Sequence, residues 1–145
     1  MRSITSIIVR YAETDRMGIA HHSHYAVWFE QARTDWIKQL GMTYTQMEEM
    51  GILVPLVELQ CRYRRPAHYE DVLEVETCLS ALTRAKLEFS YTIRRQGDPT
   101  ILCTGKTIHG IVGKGLRPLN LQKAFPEVFD LLHGQVQDSQ EASCI

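Results

Sequence analysis

Apolar and polar positions change period several times along this chain, and each change marks an element. Residues Ile4 to Tyr11 are rich in β-branched types and predict a first strand. From Tyr25 the spacing becomes helical. Tyr25, Trp28, Phe29, Ala32, Trp36 and Leu40 form one apolar stripe, and Glu30, Arg33, Asp35 and Lys38 largely occupy the other faces. Gly41 follows where a glycine ends a helix. A shorter helix is predicted over Thr45–Met50, closed by Gly51. Alternation then takes over. Val57, Leu59, Cys61 and Tyr63 alternate with Glu58, Gln60, Arg62 and Arg64. Leu73, Val75, Thr77 and Leu79 alternate with Glu74, Glu76 and Cys78. Leu87, Phe89, Tyr91 and Ile93 alternate with Glu88, Ser90, Thr92 and Arg94.

Gln96-Gly97-Asp98-Pro99 is a turn, and a long apolar strand is predicted from Thr100 to Val112. Its internal Gly105 and Gly110 permit bending or the close approach of another backbone. Leu119 to Leu132 predict a last short helix, with Pro126 as a first-turn residue. Residues 134–145 are polar and patternless and are expected to form a flexible tail after one domain over 1–133. The order is strand, long helix, short helix, four strands. This predicts an α+β fold in which a sheet curls around the helix. Such a sheet leaves edges and residual apolar surface, so pairing with a second copy is expected.

With 145 residues the chain suits one domain, and 44% hydrophobic content allows a sizeable core. A net charge of -1 argues against broad attraction to nucleic acid or anionic membrane. No apolar run approaches the roughly 20 residues of a membrane span. The N-terminal MRSITSIIVRY reads as a strand, not a signal peptide. Cys61, Cys78, Cys103 and Cys144 form no C-x-x-C pair and are expected to be free thiols in a cytoplasmic protein.

The segment from Arg10 to Arg33 carries the candidate chemistry. Asp15 sits in a loop, Gly18 supplies a bend that tolerates positive φ, and a histidine-rich turn opens into the long helix. An anion beside the free N–H groups of a helix start is the minimum kit for acyl transfer. The plain alternative is that Asp15 caps a turn. His21, His22 and His24 invite a metal reading, but their spacing is not that of a helical zinc pair, and no metal is expected. Tyr25 and Trp28 suit an acyl pocket and helix-core packing equally.

The run Tyr11-Ala-Glu-Thr-Asp15-Arg-Met-Gly18-Ile-Ala-His21-His22-Ser-His24-Tyr25, followed by Trp28-Phe29-Glu30-Gln-Ala32-Arg33, resembles the signature of hotdog-fold acyl-CoA thioesterases. The branch it is most similar to is the 4-hydroxybenzoyl-CoA thioesterase / YbgC-like group. Further matches are Tyr63-Arg64-Arg65-Pro66-Ala67, Tyr69, Asp71, Thr83-Arg84-Ala85-Lys86, Gly105, His109 and Arg117-Pro118. The resemblance implies a curved antiparallel sheet wrapped around one long central helix, and a homodimer that forms the active site and pairs again into a homotetramer. It implies Asp15 as nucleophile or general base, the His22 backbone amide as the donor that polarises the thioester oxygen, and Gly18 as the shaping residue between them. Many relatives have Asn where this chain has His24, which alters the loop's hydrogen bonding.

Acyl-CoA is the implied substrate, so no separate cofactor is expected. Its phosphates call for cations, and Arg64, Arg65, Arg84, Lys86, Lys114 and Arg117 are the candidates, with solvated strand-edge charge as the alternative. Glu30 is a second, less favoured carboxylate. Aromatic and short or medium aliphatic acyl groups both remain open, as do an acyl-carrier-protein thioesterase and a non-catalytic acyl-CoA-binding module.

Overall fold

The computed structural model describes residues 1–136. Five antiparallel strands form one sheet: β1 (Arg2–Ile8), β2 (Leu56–Tyr63), β3 (Val72–Leu82), β4 (Lys86–Arg95) and β5 (Ile101–Gly110), in spatial order β1-β3-β4-β5-β2. The long helix α1 (Tyr25–Gln39) lies against the sheet and is followed by the short α2 (Tyr44–Met50). After β5 come α3 (Leu121–Ala124) and α4 (Pro126–His133), with Pro126 in the first turn of α4 as expected. Register shifts interrupt the ladders at Leu56/Glu58, Leu79/Ala81 and Ile93/Arg94. Such bulges increase local twist and bend, which lets the sheet curve around a helix. This is the sheet-around-helix α+β architecture that the resemblance implied.

The apolar stripe of α1 is the core. Trp28, Phe29, Ala32 and Trp36 are buried against Phe89, Tyr91 and Ile93 of β4 and their neighbours. Phe29 stacks on Tyr91 with ring centroids 4.3 Å apart. Its ring lies directly over Gly105, where an added Cβ would sit 2.4 Å from Phe29 Cε2 and Cζ. The close approach at this glycine is thus made by a side-chain ring from α1, in place of the other backbone expected from the sequence.

Several boundaries differ from the periodicity: β5 stops at Gly110, short of Val112, and the single last helix expected over Leu119–Leu132 is two, α3 and α4, broken at the non-helical Phe125 that precedes Pro126. β1 ends at Ile8, and residues Tyr11–Glu13 form a 3₁₀ turn. The Glu13 carboxylate accepts from the Arg10 N–H at 2.8 Å and draws the chain out of the sheet. Strand β2 alternates as read, yet Val57 (60%), Leu59 (43%) and Tyr63 (49%) are exposed: among the described residues this edge strand pairs with β5 alone and its apolar face is left uncovered. At the start of the predicted tail, the Met1 ammonium donates to the Gln135 carbonyl at 3.3 Å, and Val136 packs against the core. Residues 137–145 of that tail, with Cys144, lie outside the described residues. Cys61 and Cys103 carry free thiols, their Sγ atoms 3.5 Å apart.

Gly105→Ala is expected to destabilise the fold by about 1–3 kcal/mol, as overpacking of a filled core does. Adding Phe29→Leu, which removes the opposing ring, is expected to recover part of the loss in urea unfolding. Equal midpoints for wild type and Gly105→Ala would show that the ring gives way freely.

Candidate active site

Asp15 opens a turn, not a strand. Thr14 bridges Ala20, the Asp15 N–H donates to the Ile19 carbonyl at 3.0 Å, and the Gly18 N–H donates to the Asp15 carbonyl at 3.0 Å. Gly18 has φ +77°, a conformation side-chain-bearing residues rarely take, and an added Cβ would meet nothing within 4 Å. Its role is backbone shape, as read from the sequence. Asp15 Oδ1 accepts from the Met17 N–H at 2.8 Å. The turn-capping role is therefore real, but it engages one oxygen. Among the described residues no hydrogen bond engages Oδ2.

Asp15, His22, Tyr25, Tyr63, Arg64 and Arg65 line one cleft of about 350 Å³, with Met17, Ile19 and Pro66 as apolar wall. His22 is the first residue of a 3₁₀ turn, His22–His24, that runs directly into α1. Its N–H belongs to the donors that a helix start leaves without an intrahelical acceptor. The Tyr63 hydroxyl donates to the His22 carbonyl at 3.2 Å and holds the following His22–Ser23 peptide. His21 Nδ1 accepts from the Ser23 N–H at 3.2 Å, whereas His24 makes no side-chain cap bond. His21 thus caps the 3₁₀ turn that leads into α1. Tyr25 is 3% exposed and meets Tyr63 edge-on, with centroids 4.9 Å apart, so it both packs and walls the cleft. Burial pushes its hydroxyl up to about 12, which keeps it a neutral donor at physiological pH.

A buried residue that sequence reasoning passed over holds this loop to the helix. Glu13 is 3% exposed, and its Oε2 accepts from Trp28 Nε1 at 2.9 Å. Its carbonyl accepts from the His21 N–H at 2.8 Å. The available signal was the indole on the apolar stripe of α1, which needs an acceptor once buried. Burial alone would raise the Glu13 carboxyl. The hydrogen bonds from the Arg10 N–H and the indole outweigh it and hold the group below the usual carboxylate range. The opposite wall is pinned by Arg95, which donates to Asp71 Oδ2 at 2.8 Å and to the Pro66 carbonyl at 2.6 Å.

The predicted cations divide into two sets. Arg64 and Arg65 line the cleft. Lys86 begins β4 beside Gly110, whereas the cleft lies at the Ile93–Cys103–Tyr63 end of the same ladder. Seven extended residues separate Lys86 from Ile93, about 23 Å. Arg84 lies in the turn just before Lys86, and Lys114 and Arg117 follow β5 at that same far end. A single protomer therefore does not bring Arg84, Lys86, Lys114 and Arg117 to its own Asp15. Glu30 is exposed on α1 and lies outside the cleft.

A model of the thioesterase-like superfamily matches residues 9–131. YneP of Bacillus subtilis is 40% identical over 123 residues, covering 83% of this chain and 88% of that protein. The acyl-CoA thioesterase YbgC of Haemophilus influenzae is 33% identical over 122 residues, covering 83% of this chain and 89% of its own. Among solved structures, a DHNA-CoA thioesterase from Staphylococcus aureus is 34% identical with a TM-score of 0.85, covering 92% of this chain and 89% of that one.

The depressed Glu13 carboxyl ties stability to pH. Its contribution is fully present above the unfolded-state value and is lost as pH falls through the lower folded value. Glu13→Gln is expected to lower stability at pH 7 and to flatten the acid limb of a stability–pH profile measured by urea unfolding. An unchanged acid limb would remove Glu13 from this role.

Proposed function

The chain belongs to the thioesterase-like superfamily, and from that membership we propose that it hydrolyses acyl-CoA thioesters to a free acid and coenzyme A through Asp15. The observation that carries this reading is the split duty of the Asp15 carboxylate. Oδ1 is held by the Met17 N–H, so the group is aimed, while Oδ2 remains available in a cleft it shares with the start of the helix turn. Oδ2 attacks the thioester carbon or takes a proton from an attacking water. The His22 N–H receives the charge that develops on the carbonyl oxygen. The C–S bond then breaks and the coenzyme A sulfur takes a proton. In the direct route water hydrolyses the resulting Asp15 acyl anhydride. Both routes need only water and protein groups, so no cofactor is invoked.

The exposed edge of β2 favours a homodimer as the working form. If two copies pair antiparallel along β2 about its centre, the Leu56 end of one strand lies beside the Tyr63 end of the other. Leu56 borders His109, and Lys86 pairs with Gly110 in the next position. Each cleft then meets the partner's copies of Arg84, Lys86, Lys114 and Arg117. This accounts for the divided cations as one phosphate-binding set completed across the interface. A further pairing into a tetramer is part of the same reading. Free thiols persist in a reducing compartment, and on that ground we propose a cytoplasmic location. Aromatic acyl groups enter through the DHNA-CoA thioesterase likeness, and aliphatic ones through the YbgC likeness.

Asp15→Ala is expected to reduce thiol release from acyl-CoA by at least about 10²–10⁴-fold while retaining coenzyme A ester binding. Wild-type turnover in that variant would sink the assignment. Turnover of matched acyl-CoA and acyl-carrier-protein esters decides the carrier. Leu59→Lys is expected to shift sedimentation toward the monomer and to lower activity together with it. A fully active monomer would show that the cleft needs no partner.

A further inference from the structure

A second cavity, of about 400 Å³, lies further along α1 between α1, α2 and the segment leading into β2. Arg33 lines it and is only 9% exposed. Its guanidinium donates to the Tyr91 hydroxyl at 3.2 Å, the Tyr44 hydroxyl is a second partner, and its Nε is buried with no partner. Among the described residues no carboxylate lies within ion-pair distance of it.

The groups behind Arg33 supply no negative charge. His109 Nδ1 lies 3.1 Å from the Val54 carbonyl, which only accepts, so Nδ1 carries the proton. His109 Nε2 then accepts from Thr107 Oγ1 at 3.0 Å, and Thr107 in turn accepts from the Tyr91 hydroxyl at 2.6 Å. The chain of donors runs one way, from Arg33 through Tyr91, Thr107 and His109 to Val54. Burial, reinforced by the nearby Arg33 charge, lowers His109 to about 4, so the imidazole is neutral at physiological pH. Arg33 is a buried cation facing a cavity with neutral groups behind it, an arrangement that is costly until an anion enters. Glu30 and Glu48 stand at the exposed rim, where water screens them.

We propose that the Arg33 cavity recognises a carboxylate at the far end of the acyl chain, so that the preferred substrates are coenzyme A esters of dicarboxylic acids. The inference rests on the thioesterase reading above. In the antiparallel dimer the Val54–Leu56 end of β2, which borders this cavity, adjoins the partner's Tyr63 end. On that pairing, an acyl tail that runs from the partner's Asp15 along the paired β2 strands ends at this cavity.

The test compares kcat/KM for adipoyl-CoA with hexanoyl-CoA, and for glutaryl-CoA with pentanoyl-CoA, in wild type, Arg33→Gln and Arg33→Lys. The dicarboxylate esters are expected to be preferred by wild type. Arg33→Gln is expected to lower the adipoyl-to-hexanoyl ratio by about 10–100-fold, and Arg33→Lys to restore part of it. A ratio unmoved by Arg33→Gln would show a purely structural arginine and overturn the proposal. If the variant does not fold, wild type decides alone: equal or reversed preference overturns the proposal, and dicarboxylate preference supports it. Asp15→Ala is the separate control. Turnover lost in Asp15→Ala, with no chain-end preference in wild type, leaves the thioesterase reading intact and removes only this inference.

Discussion

The placement of α1 on the sheet depends on one contact, the Phe29 ring over Gly105. A helix meets a strand this closely only where the strand offers no side chain, and once seated it is fixed along its axis. That seat sets the position of everything else on α1. Tyr25 falls at the Tyr63 end of β2 and Arg33 at the His109 end of β5. Two turns of helix, about 12 Å, therefore separate a cleft at the helix start from a cavity near its middle. Both sites inherit their geometry from a glycine that touches neither.

The Asp15 loop is held from the helix side and from the sheet side by different chemistry. On the helix side Glu13 is buried and accepts from the Arg10 N–H and the Trp28 indole, tying the turn before Asp15 to the stripe that packs the core. On the sheet side Arg95 joins Asp71 and the Pro66 carbonyl. The cleft thus lies between two charge-assisted clamps, each satisfying polar groups that would otherwise be stranded. A residue that acts from this cleft has its direction settled before any ligand arrives.

Much of this was legible from the residues alone, because periodicity reports burial on a single chain. The stripe from Tyr25 to Trp36 and the alternation in β3 and β4 correspond to elements whose cores are complete within one copy. Strand β2 alternates just as clearly, but its apolar positions stay exposed, since alternation says that a face is to be covered and not by what. The Asp15-to-Tyr25 motif brought Asp15, His22 and Tyr25 to one cleft because they are close in sequence. The cations read as one group fall at opposite ends of a ladder, a distance that spacing in sequence does not encode. Glu13 and the polar chain from Arg33 to Val54 escaped notice because their meaning lies in which donors face them across the fold.

Sheet order has a temporal side. β2 leaves the ribosome before β3, β4 and β5, yet among the described residues its one neighbour in the sheet is β5. Cys61 must wait for Gly105, so the segment from Leu56 to Tyr63 spends the early life of the chain as a half-apolar ribbon with both flanks bare. Long-range pairing of this kind is slow, and unpaired ribbons are where nascent chains go astray. The strand best suited to join two finished molecules is thus also the last to find its place in one.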